Sequence, residues 1–146
     1  MKSKAEVMKK LDMVAKEIED TEAQRMNAML APQPYDCDVE SQIVKIRYEA
    51  QEWEKNHRGE IHGGAVSAMF DTSMGMSVLS LSENNSVSTA DLNVSFIRPF
   101  TGDSFIFEVN VVHPGRKITR VRAIARDEAT GKTLASAAAN FVYASM

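Results

Sequence analysis

The sequence predicts an α+β domain in which an antiparallel β-sheet wraps around one central apolar α-helix, with an N-terminal helical extension ahead of it. Three observations predict this. Residues 61–82 hold a single formally charged side chain, Asp71, among Ala, Val, Met, Phe, Leu and small hydroxyl residues, so they read as a helix that is apolar on nearly every side and therefore interior. After Asn84-Asn85 the apolar period changes to two through four runs separated by turn residues, the pattern of antiparallel strands. Ahead of both, the first thirty residues carry a helical stripe.

In chain order, Val7, Leu11, Val14 and Ile18 recur at helical spacing, and Ser3 with Glu6 forms a capping box at the start. Thr21 and Gln24 repeat the box ahead of Met26, Met29 and Leu30, which predicts a break near Asp20 and a second short helix. Ala31-Pro32-Gln33-Pro34 ends the helical region, because proline disfavours helical geometry in the residue before it. Val39, Ile43, Val44, Ile46 and Tyr48 suggest two short strands or one bent strand between Tyr35 and Gln51, and Trp53 to Ile61 reads as a polar loop. After the apolar helix come runs at Ser86–Ile97, Asp103–His113, Lys117–Arg126 and Lys132–Ala144, with turn chemistry between them that suits an antiparallel meander. Ala135, Ala137, Ala138 and Ala139 would let the helix approach the last strand closely.

Composition bounds the function. The chain of 146 residues is the size of one domain, residues 1–30 forming the helical segment and about 35–146 the core. Seventeen basic against 20 acidic residues leave a net charge of -3, without the basic excess of a nucleic-acid binder. Cys37 is the sole cysteine, so no intrachain disulfide or cysteine-based metal cluster can form, as suits a reducing cytosol. The charged, amphipathic start does not read as a secretory signal. His62-Gly63-Gly64, five serines and an acid interrupt the apolar stretch, which argues against a membrane span. The expectation is a cytoplasmic protein with no nucleic-acid or membrane partner.

The chemistry centres on Asp71. A carboxylate in an apolar helix needs hydrogen-bond donors or a raised pKa; it either accepts bonds from neighbours such as Thr72 or Ser73 and pins the helix, or serves as nucleophile or general base. Gly63 and Gly64, at the helix start, expose backbone N–H groups at the positive end of the helix dipole, a suitable oxyanion hole or simply a place of close packing. Eight residues separate Gly63 from Asp71, on the order of 12 Å along a helix. One carbonyl carbon cannot easily sit beside both, so a shared site predicts donor and carboxylate from different subunits of a two-fold dimer.

The pattern Asn56-x5-His62-Gly63-Gly64-x6-Asp71 resembles the signature of hotdog-fold thioesterases of the phenylacetate-pathway type, the group that also includes the mammalian thioesterase superfamily member 2. Asp91-Leu92-Asn93-Val94-Ser95-Phe96-Ile97-Arg98-Pro99 is similar to that family's strand after the central helix, and His113-Pro114-Gly115-Arg116-Lys117 to its basic hairpin. The likeness covers approximately residues 40–145 and leaves the first thirty unexplained. It implies a hotdog fold and hydrolysis of acyl-CoA to a carboxylic acid and coenzyme A, without cofactor or metal, in a homodimer or homotetramer. Asp71 matches the nucleophile or base, Gly63 the donor to the thioester oxygen, and Asn56 and His62 the side chains that orient carbonyl or water. Thr89, or Ser88 one register away, matches a residue that positions water. Gly64, next in the same turn, is a candidate for binding the substrate, and Arg116, Lys117, Arg98 and Arg58 are candidates for the coenzyme A phosphates. The His62 ring could instead bond to its own loop, and Arg116 and Lys117 could be a solvated hairpin end. A non-catalytic acyl-CoA-binding module and, less in keeping with the motifs, a hotdog dehydratase or hydratase are the competing functions.

Overall fold

The computed structural model describes residues 1–21 and 24–143. Helix α1 spans Lys4–Glu19, α2 Met26–Leu30 and α3 Gly63–Leu81; strands are β1 Gln33–Asp38, β2 Ile43–Glu49, β3 Val87–Phe96, β4 Ser104–Pro114, β5 Ile118–Asp127 and β6 Thr133–Tyr143. They form one six-stranded sheet in the order β1-β2-β4-β5-β6-β3, every neighbouring pair antiparallel.

The capping box at Ser3 and Glu6 forms in both directions, so α1 starts where its sequence directs. The second box does not form. The Thr21 hydroxyl donates back to the Ile18 carbonyl, and α2 begins after Arg25 with no side-chain cap. A hydroxyl one turn beyond a helix finds the unsatisfied last carbonyls closer than the N–H groups of a helix still to come. The proline-flanked stretch does end α2, with Ala31 in the left-handed region, but β1 already starts at Gln33 and two separate strands form.

The meander holds only from β4 to β6. β3 does not pair with β4, because β2 and β5 take both edges of β4; β3 crosses over to the free edge of β6. Turn residues at Pro99–Asp103 mark a reversal of the chain but not its partner. β3 is thus an edge strand, exposed along most of its length, and no other described strand pairs with its outer side.

Helix α3 lies in the curve of the sheet. Val66, Met69, Phe70, Met74 and Val78 pack on β2, β4 and β5, whose inward residues alternate with outward ones. Phe107 sits edge-on to both Phe70 and Tyr48, with ring centres 4.7 and 5.1 Å away. Ala135, Ala137 and Ala139 face inward and Ala138 outward. The buried Tyr48 hydroxyl donates to the Met69 carbonyl and lies 2.9 Å from the Ser73 hydroxyl, fixing the rotation of α3, and burial pushes its pKa well above the usual phenol value. Val7 and Leu11 of α1 are fully buried against this core, and Lys2 and Lys10 both donate to the Ser82 carbonyl at the C-terminal end of α3.

Candidate active site

The N-terminus of α3 is built by its own sequence. His62 is the N-cap residue, and its Nδ1 accepts the Gly64 N–H at 2.8 Å. Gly64 N–H is therefore not the free donor that the paired glycines suggest. A Cβ at residue 64 would lie 3.0 Å from that same Nδ1, so the second glycine makes room for the cap. The Gly63 N–H has no hydrogen-bond partner among the described residues and stands at the positive end of the helix dipole. The ring of Phe96 covers Gly63 closely, 3.3 Å from where a Cβ would stand.

The loop before it is ordered by Asn56. Its Oδ1 accepts the N–H groups of Arg58 and Glu60, its own N–H donates to the Glu60 carbonyl, and Gly59 turns with φ +79°. With Oδ1 so engaged, the amide nitrogen keeps two hydrogens to donate. Asn56, Arg58, Gly63, Phe96 and Arg98 line one cleft of ≈ 350 Å³. Arg58 pairs with Glu60 at 3.2 Å, and Arg98 donates to the Thr133 carbonyl.

Two turns along α3, Asp71 stands beside β3, where Thr89 Oγ1 donates to its Oδ1 at 2.6 Å. Thr72 and Ser73 do not serve Asp71: Thr72 donates to Asn27 on α2, and Ser73 bonds to Tyr48. Ser88, adjacent to Thr89, points to the other face of its strand. In the single chain Asp71 is half-buried, not enclosed as an apolar helix would suggest, because β3 and α1 leave a groove of ≈ 360 Å³ open above it.

One chain therefore brings the predicted residues together in two sets. Asp71 and Thr89 face one groove; Asn56, Gly63, Arg58 and Arg98 face another. His62 and Gly64 line a third, smaller hollow with Trp53 and Glu54. Arg116 and Lys117 lie in the tight β4–β5 turn, where a Cβ at Gly115 would collide with the Ile118 carbonyl; both are exposed and line none of these clefts.

Glu54 escaped the sequence reading. It is 2% exposed with an unpartnered Oε2, and burial raises its pKa. Its signal was the pair Gln51 and Glu54, a capping box for a 3-10 turn at Glu52–Glu54, hidden in a stretch that otherwise reads as polar loop.

A sequence model of the thioesterase superfamily matches residues 58–134, the stretch that runs from the Asn56 loop through α3 into β6. An esterase-named protein of Halobacterium salinarum is 33% identical over 87 residues, 56% of this chain and 57% of its own length, so the chain spans little more than half of the curated relative it matches. The structure of zebra fish thioesterase superfamily member 2 superposes with a TM-score of 0.79 over 94% of this chain and 98% of its own, at 15% identity. A Streptococcus mutans protein crystallised with acetyl-CoA gives 0.68 over 77% of this chain and 88% of its own, at 18% identity. These superpositions carry the hotdog fold, and with the family match reaching from the loop before α3 to the sheet around it, the chain belongs to the thioesterase superfamily.

Proposed function

We propose that the protein hydrolyses acyl-CoA thioesters to a free carboxylic acid and coenzyme A, at sites completed by two copies of the chain. The observation that carries this reading is the division of polar groups along α3. A carboxylate braced by a hydroxyl and an unpartnered backbone donor sit on one helix, on the order of 12 Å apart for eight residues, and open into different clefts. A second copy, related by a two-fold axis, supplies each set with the other. The unpaired outer edge of β3, which carries Thr89 and Phe96, suits such an assembly, since an open edge offers its backbone groups to another chain.

In the composite site the thioester oxygen lies at the Gly63 N–H of one copy, assisted by the Asn56 amide, and Asp71 of the other copy faces the carbonyl carbon. Asp71 either takes a proton from water as the water adds, or adds directly to give an acyl-enzyme that water then cleaves. Negative charge gathers on the former carbonyl oxygen and is stabilised by donors already in place. Collapse breaks the C–S bond and releases the coenzyme A thiolate. Thr89, donating to Oδ1, fixes the carboxylate's orientation and leaves Oδ2 to act. Among the cations, Arg116 and Lys117 are exposed without a carboxylate partner among the described residues, as phosphate-binding groups would be; Arg98 and Arg58 flank the cleft of Gly63. We place the protein in the cytoplasm, where coenzyme A thioesters and a reduced Cys37 are compatible. No helix among the described residues is long and apolar enough to cross a membrane.

Release of free thiol from short, medium, long and aromatic acyl-CoA substrates, followed for wild type and Asp71→Ala, tests the reading. Turnover that disappears in the variant supports it; absence of turnover on every substrate would overturn it.

A further inference from the structure

The match to the thioesterase superfamily begins at residue 58, so it leaves α1 without a role. The helix is placed with care nonetheless. Lys2 and Lys10 tie its first half to the end of α3 at Ser82, so the two helices run in opposite directions and the second half of α1 reaches back toward Asp71. There Val14, Glu17 and Ile18 form one wall of the groove, and Asp71, Gly75 and Leu79, spaced one turn apart on α3, form the facing one. α2 closes onto the same region through the bond from Thr72 to Asn27, 2.7 Å long.

Along the groove itself the charge is one-sided, the ammonium groups of Lys2 and Lys10 standing beyond its Leu79 end, at the Ser82 carbonyl. Its only ionisable lining residues are Asp71 and Glu17, both acids, with no Lys, Arg or His among the described residues that line it. The rest of its surface is apolar or neutral. An acyl chain entering from a thioester at Asp71 would pass Glu17 before meeting any counter-charge, and charges within roughly 8–10 Å are not fully screened at ordinary ionic strength. The wall from Asp71 to Leu79 is on the order of 12 Å long. A peptide extends about 3.5 Å over three backbone bonds, hence roughly 1.2 Å per bond in an extended chain, so the groove accommodates about ten bonds.

We infer that α1 is the specificity wall of the site, which receives neutral acyl groups up to medium length and rejects, through Glu17, acyl groups that end in a carboxylate. The inference rests on the acyl-CoA reading given above and assigns the substrate class that reading leaves open. Glu17 is a specificity-determining residue and takes no part in the bond-breaking step.

The test compares matched pairs, hexanoyl-CoA with adipoyl-CoA and butyryl-CoA with succinyl-CoA, in wild type, Glu17→Gln and Glu17→Lys. Wild type is expected to favour the neutral member at least about tenfold in kcat/KM, through KM more than kcat, and the preference should shrink in high salt. Glu17→Lys should move the ratio at least about tenfold toward the carboxylate-ended member, and Glu17→Gln part of the way. Thiol release from wild type with equal use of both members, or a ratio that Glu17→Lys leaves within about twofold, would overturn the assignment while leaving hydrolysis intact. No thiol release from any of the four, with release from long or aromatic acyl-CoA retained, would overturn the inference alone; no release from any acyl-CoA of the wider panel would overturn hydrolysis itself.

Discussion

Thr89 Oγ1 lies 2.6 Å from Asp71 Oδ1 and donates to it across the gap between an edge strand and the central helix. The bond settles one rotamer of the carboxylate. A hydrogen bond to a charged group is worth about 1.5–3 kcal/mol, so Thr89→Val should lower kcat/KM roughly 10- to 100-fold, whereas Thr89→Ser should keep most of it. Ser88→Ala is the matched comparison; a loss there as large as in Thr89→Val would mean that the bond is not what matters.

Asp71→Asn and Asp71→Ala should each lower kcat by at least about 10²-fold, the lower end of what a positioned acid-base group supplies, with thermal unfolding close to wild type because Asp71 is half-buried and bonded to an exposed partner. A single turnover in oxygen-18 water separates the two routes. Label entering Asp71 marks it as nucleophile, and label confined to the product acid marks it as base.

Complementation reads the composite site directly. Asp71→Ala and Asn56→Ala homodimers should each be inactive, but random exchange of subunits puts half of the chains' pairings into mixed dimers, each with one site built wholly from intact residues. About a quarter of wild-type activity should return on mixing. If activity stays at the level of the separate variants, each chain carries its whole site.

The His62 ring caps α3 through Gly64 N–H. His62→Ala should cost about 1 kcal/mol of stability, while His62→Asn, which can cap as well, should restore it. Gly64→Ala brings a Cβ to 3.0 Å from Nδ1 and should resemble the loss of the cap. Urea unfolding measures the stabilities, and thiol release on the same samples shows whether His62 also acts on substrate.

Glu54 is buried with one carboxylate oxygen unpartnered, and burial raises its pKa. The folded state therefore holds this proton more tightly than the unfolded chain does. The group is harmless to stability below its unfolded pKa, and stability is lost as pH rises from there through the folded value. Glu54→Gln should stabilise the protein at neutral pH by roughly 1–3 kcal/mol, retain the bond from the Gln51 N–H, and lose that advantage in acid. An equal effect at both pH values would place the cause elsewhere.

Much of this was legible in the sequence because it depends on local rules. The Ser3 cap, the switch of period after Asn84-Asn85 and the single acid in the apolar helix each act within a few residues. What the sequence hid were choices made between distant segments. Whether β3 pairs with β4 or β6 depends on which edges β2 and β5 occupy, and the openness of the groove over Asp71 depends on how α1 docks. Thr89 and Ser88 could not be ranked until the pleat of β3 was known, and Gly64 N–H looked free until the His62 rotamer was seen. The division of the Asn56, Gly63 and Asp71 motif was legible as well, since eight residues of helix hold Gly63 and Asp71 on the order of 12 Å apart; what the sequence hid is which cleft each of them lines.

The placement of Asp71 two turns from Gly63 on one rigid helix has a genetic corollary. If, as proposed, each site takes Gly63 from one copy and Asp71 from the other, a folded Asp71 variant that enters assemblies with the normal product disables one site per variant chain and leaves intact the site that uses the normal chain's Asp71. Loss of function at this position should then scale with the variant's share of the chains and carry no added dominance.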